Sequence, residues 1–250
     1  MREEFKSGTL IYPLPAVLVT CGSSPEEWNM LTIAWTGTVC TDPPMCYISV
    51  RKERHSHALI SRTGEFVINL TTERLARATD WCGVRSGRDY DKFREMGLTP
   101  LAAKHVSAPL IAESPVAIEC RVKQCIELGS HDMFLAEVVG VEVDADYIDP
   151  ETGKFHLDKT GLLAYSHGAY YRLGEQLGTF GWSVRKRPVA KPAAKPAAKP
   201  AAKPAAKSAA KTSAKPTAKP TAKRTSKSAA PKPAAKPTAK SAPKPAKRRK

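Results

Sequence analysis

Several polar side chains fall where apolar runs of the sequence end, and together they could bind an anion. They are Asn29, Thr32, Arg51, Lys52, Arg54, Ser56, Lys92 and His131. The densest group, residues 51–56, leads into a segment with helical spacing, and the free N–H groups of a helix N-terminus add donors for a phosphate. The same basic run is also compatible with a solvated surface segment, and Asn29 and His131 with turn positions. These residues predict a candidate phosphate site.

The stretch from Asn29 to His57 must position most of these side chains. It reads as two apolar, β-rich runs, Leu31–Cys40 and Met45–Val50, joined by the turn signal TDPP. This order puts a polar group at the mouth of a hydrophobic sheet, which suits a flat aromatic ligand that carries a phosphate. Trp35, inside the first run, is compatible with either the core or the wall of such a site.

Other catalytic chemistry has little support in the sequence. The chain has no GxGxxG after its first strand, no Walker A motif, no HExxH and no GxSxG. Its six histidines are dispersed, so that no local spacing assembles a catalytic triad or a metal cluster. We therefore expect no metal site.

The remaining pattern predicts a mainly β domain with short helices. Further strands are expected at Ala16–Gly22, Glu65–Leu70, Val116–Leu128 and Met133–Val143, and helices at His55–Arg62, Thr72–Trp81 and Asp89–Met96. A cationic loop is expected at Gly83–Gly87, and a hairpin turn at Gly129–Asp132. Because the strands do not alternate with helices, an antiparallel barrel or sandwich is favoured over a parallel sheet.

The positive charge of the chain is concentrated at its C-terminal end. All 24 acidic residues and 21 of the 40 Lys and Arg residues lie in residues 1–187, which therefore carry only about −3. Residues 188–250 hold the other 19 basic residues, and a lysine recurs every fourth residue from Lys191 to Lys223 among Ala and Pro. Such a segment cannot bury enough apolar surface to fold. We predict a folded domain at residues 1–187 and a disordered basic tail at 188–250.

Neither a membrane span nor a secretion signal is expected. No apolar run approaches the roughly 20 residues of a membrane helix, and the start MREEFKSG lacks the apolar core of a signal peptide. The six cysteines form no CxxC pair and mostly sit in apolar runs, which is typical of buried thiols in a reducing compartment. Cys40 and Cys82 are the exceptions that could lie near a redox ligand. We expect a cytoplasmic protein.

Many blocks of residues 1–187 support a family assignment. In chain order they are NMLTIAWTGTVCTDPPMCYISVRKERHSH, GEFVINL, WCGVRSGRDYDKF, EMGLTP, APLI, ESPVAIEC, LGSHDMFLAEVVGVEVD, GLLAYSHGAYYRLG and LGTFGWSVRKR. Together they resemble the flavoredoxin-type members of the flavin reductase family. The resemblance implies an FMN-binding split β-barrel, a Greek-key barrel with short appended helices, and a homodimer with the flavin near the subunit interface.

The resemblance also implies a set of flavin contacts. Around the ring system they would be Asn29, Thr32, Trp35 and the main chain of Thr38, Val39, Cys40 and Thr41, and at the phosphate Arg51, Arg54, Ser56 and His57. Lys92, His131 and Tyr165 would approach from other segments. A cation such as Lys92 or a protonated His131 beside the ring would stabilise its reduced form, with His131 as a modulator. No catalytic side chain is expected, because the flavin carries the chemistry.

Two classes of function follow. The first is an FMN-dependent oxidoreductase, either a flavin reductase that takes hydride from NAD(P)H or a flavoredoxin-type carrier that passes electrons to a protein redox partner. The second depends on the tail, whose AAKP repeat resembles the lysine-rich tails of linker-histone-type proteins. Such a tail would bind nucleic acid or another polyanion through phosphate contacts, or tether the protein to a surface.

Overall fold

Strands dominate the computed structural model, which describes residues 1–185. The strands are β1 Leu14–Pro15, β2 Val17–Cys21, β3 Asn29–Ile33, β4 Thr36–Thr41, β5 Pro44–Arg51, β6 Glu65–Leu70, β7 Pro100–Leu101, β8 Leu110–Ile111, β9 Val116–Glu127, β10 His131–Val143, β11 Leu163–Ser166 and β12 Ala169–Arg172. The helices are α1 His55–Thr63, α2 Ala76–Val84 and α3 Lys92–Met96, with 3-10 turns at Glu73–Leu75, Ala145–Tyr147, Leu157–Lys159 and Trp182–Val184. The predicted tail, residues 188–250, lies outside the described residues.

Seven strands form one antiparallel sheet that curves until its two edges lie close together. Their order is β3-β2-β6-β9-β10-β5-β4, so that β3 and β4 are its two edges. Only Ala34 and Trp35 separate these edges in the sequence, and at about 3.4 Å per residue the edges must lie within roughly 10 Å. The main-chain N–H of Ser49 on β5 donates to the carbonyl oxygen of Trp35 at 2.8 Å and extends the β4–β5 pairing by one residue toward the end of β3. Side chains of β2, β3, β5, β6, β9 and β10 share one interior cluster, so the sheet forms a barrel that is open between β3 and β4.

The barrel interior explains the continuous apolar character of β2. Val17, Val19 and Cys21 point into the interior cluster with Ile48, Phe66 and Phe134 among others, whereas Leu18 points outward. All five residues of β2 are buried, because α2, α3 and the chain around Pro109 cover its outer face. The strand therefore reads as one apolar run and lacks the alternation typical of a half-exposed strand.

Helices α2 and α3 pack on the outside of β2 and β3. Ala78 and Cys82 of α2 and Phe93 of α3 lie in one cluster with Leu18 and Met30. Helix α3 begins after Asp91, whose side chain accepts from the main-chain N–H of Arg94 at 3.2 Å, and ends at Gly97 in the left-handed region with φ 64°. This packing brings the connection between the two helices next to β3.

Helix α1 closes one end of the barrel. Its Leu59 and Ile60 join the interior cluster, and the helix stops where Gly64 adopts φ 66° and its N–H bonds to the carbonyl of Ile60. A separate three-stranded sheet has the order β1-β11-β12. It includes the β11–β12 hairpin, which carries Tyr165 and Tyr170. None of the described helices is long and apolar enough to cross a membrane.

Some predicted boundaries are wrong, and each error has a physical reason. The run Leu31–Cys40 is not one strand, because the chain crosses from one sheet edge to the other at Ala34–Trp35. Helix α2 continues to Val84, so the cationic loop begins at Arg85 and not at Gly83. Helix α3 begins at Lys92 and not at Asp89, because Asp91 caps it. Strand β10 begins at His131, where the hairpin turn was expected to continue.

Candidate functional site

Two adjoining cavities of about 360 Å³ each open beside β3 and β5, and they differ in chemistry. The first, which we call the cationic cavity, is lined by the five basic side chains of Arg51, Arg54, Arg85, Arg88 and Lys92 and by one acidic residue, Glu53. The second, the ring cavity, is lined by the aromatic side chains of Trp35, His131, Tyr165 and Tyr170. Leu31, Arg51 and Arg54 line both, so the two cavities are neighbours.

Buried polar groups form the wall of the cationic cavity. The Asn29 side chain on β3 donates from Nδ2 to Ser56 Oγ on α1 at 2.8 Å, and both residues are buried. Ser56 lies in the first turn of α1, directly after the cavity residues Arg54 and His55. Strand β3 and the start of α1 are thereby held together at the point where N–H groups of the helix are free.

Lys92 is the buried cation of this cavity. Its residue is only 4% exposed, and Nζ donates to the carbonyl oxygen of Cys82 at 2.8 Å. That bond uses one of the three N–H donors of an ammonium group. Burial lowers the pKa of Lys92 to about 8, with repulsion from Arg54 acting in the same direction. A buried ammonium with unused donors fits an anionic ligand, which would restore the lost solvation of its charge.

The loop from Arg85 to Arg88 forms another wall. A Cβ added to Gly87 would lie 2.6 Å from Cγ of Asn29, so only glycine allows the loop to pack this closely on β3. The Arg85 guanidinium lies over the Tyr90 ring at 5.7 Å from its centroid. Sequence reasoning recognised a cationic loop but did not assign it to the site. The sequence signal that could have identified this loop as part of the site is a pair of arginines that flank Ser-Gly immediately after a helix.

The ring cavity has aromatic and apolar walls. The Trp35 and His131 rings are nearly parallel, at 8° with centroids 6.5 Å apart, and Tyr165 is tilted against Tyr170 at 5.6 Å. Ile33, Ala34, Ser49, Val50 and Gly83 also line this cavity, and none of these was predicted as a site residue. Aromatic and apolar walls of this kind suit a flat conjugated ring.

Thr32 connects the ring cavity to helix α2. Its hydroxyl donates to the carbonyl oxygen of Thr79, and a Cβ added to Gly83 would lie 3.3 Å from Thr32 Cβ. The small residue on the helix therefore lets α2 approach the strand closely. This contact sets the width of the cavity on its helical side.

The structure brings most of the predicted site residues together. Asn29, Arg51, Arg54, Ser56 and Lys92 line the cationic cavity, and Thr32, Trp35, His131 and Tyr165 line the ring cavity. Lys92 does not line the ring cavity, so of the two cations expected beside a ring only His131 is placed there.

The structure places five other predicted residues elsewhere. Thr38, Val39, Cys40 and Thr41 lie on the edge strand β4 and line neither cavity; the Val39 side chain is half exposed. His57 lies outside both linings because its Nε2 is 2.7 Å from Oδ2 of the buried Asp132 and its ring edge packs on Phe134. His57 therefore braces α1 against β10.

The two cysteines singled out in the sequence have different positions. Cys82 lines the cationic cavity, and burial raises the pKa of its thiol to about 11, so it is a neutral thiol near pH 7. Cys40 lies on β4 and lines neither cavity. The thiol beside Lys92 thus adds no negative charge to a site built for an anion.

The arrangement as a whole fits one kind of ligand. A phosphate in the cationic cavity would meet several cations and the buried Asn29–Ser56 pair, while a planar ring attached to it would reach the aromatic cavity next door. Arginine side chains suit phosphate because their planar N–H groups can pair with two oxygens at once. The site can therefore bind a phosphorylated planar aromatic molecule.

Comparison with known proteins gives a consistent result. Residues 9–174 match the family model described as the flavin reductase like domain. An uncharacterised protein of Archaeoglobus fulgidus is 31% identical over 131 residues, which cover 52% of this chain and 73% of the relative. Among solved structures, flavoredoxin of Desulfovibrio vulgaris (Miyazaki F) is similar with a TM-score of 0.68 and 31% identity, covering 74% of this chain and 100% of the flavoredoxin.

A second solved structure supports the same fold. The FMN-binding protein of Thermus thermophilus is similar with a TM-score of 0.61 and 25% identity, covering 72% of this chain and 99% of that protein. Together with the curved seven-stranded sheet, these likenesses confirm the predicted mainly β split barrel with short appended helices.

Proposed function

Because the chain belongs to the flavin reductase family, we propose that it is an oxidoreductase that holds FMN across the two cavities. The phosphate occupies the cationic cavity and the isoalloxazine ring the ring cavity. The observation that carries this proposal is the buried Lys92, with unused N–H donors, in a five-cation cavity that adjoins an aromatic one. Flavoredoxin and an FMN-binding protein are among the proteins that the chain resembles.

The cationic cavity supplies the binding energy and the orientation of the phosphate end. Lys92 and the arginines neutralise the phosphate charge, and the Asn29–Ser56 pair adds uncharged donors. A hydrogen bond to a charged group contributes about 1.5–3 kcal/mol. Several such contacts around one phosphate would hold the cofactor in place through turnover.

The ring cavity positions the reactive part and limits its contact with water. Trp35, Tyr165 and Tyr170 provide aromatic walls, and Ile33 and Ala34 add apolar surface. FMN supplies the redox chemistry, because its ring accepts either a hydride or single electrons and passes them on. His131 also lines this cavity, where a positive charge would favour a negatively charged ring.

The electron donor is either a nicotinamide or a protein. No dinucleotide fingerprint is present in the sequence, so NADH or NADPH would stack directly on the flavin through the open side of the ring cavity. A flavoredoxin-type carrier would instead receive electrons from a protein redox partner at the same opening. Both versions use the same cofactor site.

Two measurements, made one after the other, test the proposal. Purified full-length protein should be yellow, or should bind added FMN with quenching of flavin fluorescence and much more tightly than riboflavin, which lacks the phosphate. Failure to bind FMN would overturn the proposal.

The loaded protein is then mixed without air with NADH and with NADPH. Loss of the flavin absorbance near neutral pH identifies a reductase and its preferred nicotinamide. A protein that keeps FMN but is reduced only by dithionite would be assigned to the electron-carrier version.

A further inference from the structure

Asp132 is a buried carboxylate that contacts the segment from Lys52 to His57 at two points. The residue is only 5% exposed. His57 Nε2 lies 2.7 Å from Oδ2, and Lys52 Nζ lies 3.2 Å from Oδ1. Burial would raise the pKa of the Asp132 carboxyl, but the hydrogen bonds from His57 and Lys52 lower it below its ordinary value. Asp132 is therefore ionised near pH 7, and because an ionised carboxylate only accepts, His57 donates from Nε2.

The two contacts lie at the ends of a segment that lines the cationic cavity. Residues 53–56, between Lys52 and His57, all line this cavity, and Arg54 also lines the ring cavity. The main-chain N–H of Arg54 donates to the carbonyl of Arg51 at 3.0 Å, and that of His57 to the carbonyl of Arg54 at 3.0 Å. One buried carboxylate thus holds both ends of this compact segment.

Asp132 also belongs to a strand that forms a wall of the ring cavity. It follows His131 on β10, and His131 lines that cavity. Successive residues of a strand point to opposite faces, so Asp132 shares a face with Phe134 of the interior cluster. The register pairs His131 with Arg51, which lines both cavities. Asp132 therefore connects a wall of the ring cavity to the segment that lines the cationic cavity.

We infer that Asp132 and His57 are positioning residues that fix the distance between the two cavities, so that one molecule with a ring and a phosphate can occupy both at once. This inference rests on the proposed function. Neither residue lines a cavity, so both act through their sequence neighbours. His57 holds Ser56 at the cationic cavity, and Asp132 holds His131 at the ring cavity.

Positioning of this kind can be separated from the binding strength of either cavity. FMN carries its ring and its phosphate on one flexible chain. Its affinity therefore combines the affinities of the two ends with an effective concentration that depends on the distance between the two cavities. Riboflavin measures the ring cavity alone, and inorganic phosphate measures the cationic cavity alone. A change in the distance between the cavities weakens FMN and spares the two separate ligands.

Titration of the full-length protein with three ligands tests the inference. FMN and riboflavin are measured by fluorescence, and inorganic phosphate by competition against FMN at constant ionic strength. In His57→Leu the hydrogen bond to Asp132 is lost. The dissociation constant for FMN should rise about tenfold, while those for riboflavin and phosphate change less than about twofold. His57→Gln keeps an N–H donor for Asp132 and should restore most of the FMN affinity.

A second variant decides the test if His57→Leu fails to fold. Lys52→Met releases the other end of the segment by changing a side chain that is nearly half exposed, and it should weaken FMN alone, by about threefold. The matched control is Lys123→Met, which breaks an ion pair with Glu137 on the same strand and lines neither cavity. It should bind all three ligands as the wild type does.

The outcomes separate this inference from the proposed function. A wild type that binds no FMN would overturn the proposed function and the inference with it. A wild type that binds FMN, with variants that weaken riboflavin or phosphate as much as FMN, would leave the proposed function standing and show that His57 and Lys52 only support one cavity. Variants that bind FMN as well as the control does would also refute the positioning role.

Discussion

The two cavities meet at Arg51 and Arg54, yet the protein builds them by different means. The cationic cavity depends on charge and on buried polar contacts. Its lining includes the starts of helices α1 and α3 and the loop that carries Arg85 and Arg88. The ring cavity depends on apolar and aromatic surface, and most of it comes from strands of the barrel and the β11–β12 hairpin. Affinity for a phosphorylated ligand should therefore reside mainly in the first cavity, and the environment of the reactive ring in the second.

This division has an energetic basis. Charge-assisted hydrogen bonds in a partly buried site are strong and depend on single atoms, so one substitution removes a large share of the binding energy. Burial of a flat ring is spread over many weak contacts, so one substitution there removes little. The comparison is tested most directly by variants that affect one cavity and spare the other.

Replacement of Lys92, the buried cation, should have the largest effect on FMN binding. In Lys92→Met the dissociation constant for FMN should rise about 100-fold, because charged hydrogen bonds to the phosphate are lost. Riboflavin binding should change less than about twofold, since riboflavin has no phosphate. Fluorescence titration with both flavins measures the difference.

Lys104→Met is the matched control, because Lys104 pairs with Glu142 on the surface and lines neither cavity. It should bind FMN as the wild type does. If Lys92→Met weakens riboflavin as much as FMN, the division between the two cavities is wrong.

A methyl group on the cationic loop should have the next largest effect. In Gly87→Ala the new Cβ overlaps the Asn29 side chain, so the loop that carries Arg85 and Arg88 must move away from β3. Loss of one charged contact corresponds to roughly a tenfold weaker FMN complex. Gly174→Ala is the control, since a Cβ there meets nothing within 4 Å. Equal affinities of the two variants would show that this loop does not hold the phosphate.

Titration of Lys92 should make FMN binding pH-dependent. Its pKa is lowered to about 8, whereas the phosphate loses its second proton near pH 6 and stays a dianion above that. As pH rises from 7.5 to 9 the ammonium becomes neutral in the empty protein, and FMN affinity should fall by up to about eightfold. Isothermal titration across this range measures it, and Lys92→Met should show no such fall.

The stability of the empty protein should change with pH in the opposite direction. The unfolded lysine has a pKa near 10.4, so between about pH 8 and 10.4 the unfolded chain holds more protons at this position. Stability contributed by Lys92 therefore rises with pH over that window. A binding constant and a stability that both fall above pH 8 would point to a different titrating group.

A smaller effect, on the free energy of unfolding, should distinguish Thr32 in the ring cavity from Thr38 on strand β4. Thr32→Val removes the hydroxyl that donates to the carbonyl of Thr79 and should lower the free energy of unfolding by about 1 kcal/mol. Thr38→Val, on the exposed edge strand β4, should stay within about 0.5 kcal/mol of the wild type. Urea unfolding of both proteins gives the comparison, and equal values would contradict the assigned role of Thr32.

Removal of the predicted tail should have no effect on the cofactor. Truncation after Arg187 should leave the ratio of FMN to protein unchanged, while retention on DNA in a salt series should be lost if the lysines bind phosphates. Loss of FMN on truncation would show that tail and domain are not separable. Equal DNA retention of both forms would remove the polyanion hypothesis.

Much of the fold can be predicted from local sequence patterns. The errors lie where curvature of the sheet into a barrel determines the end of a strand. Strand β6 and helix α1 follow from their apolar spacing and from Gly64 as a stop signal. The break at Ala34–Trp35 carries no local signal of comparable strength, because it is imposed by the meeting of the two sheet edges. The spacing of apolar residues within one segment cannot predict that strands at opposite ends of the sheet order lie close together.

The site shows the same limit. Ser56 and His57 are neighbours in sequence, but successive residues of an α-helix point about 100° apart, so one faces the cationic cavity and the other Asp132. Arg85 and Arg88 reach the cavity only because α2 packs on β3, which nothing in their own segment indicates. Residues joined by tertiary packing were missed for this reason.

The crossing at Ala34–Trp35 has a consequence for how the molecule assembles. The two hairpins that flank it, β2–β3 and β4–β5, pair residues close in sequence and can form before the rest of the sheet. Ala34 and Trp35 at the crossing line the ring cavity, and the main-chain N–H of Ser49 on β5 donates to the Trp35 carbonyl oxygen there. A ligand that binds this cavity in the folded chain alone would therefore stabilise the crossing, and the free energy of unfolding would rise with the ligand concentration.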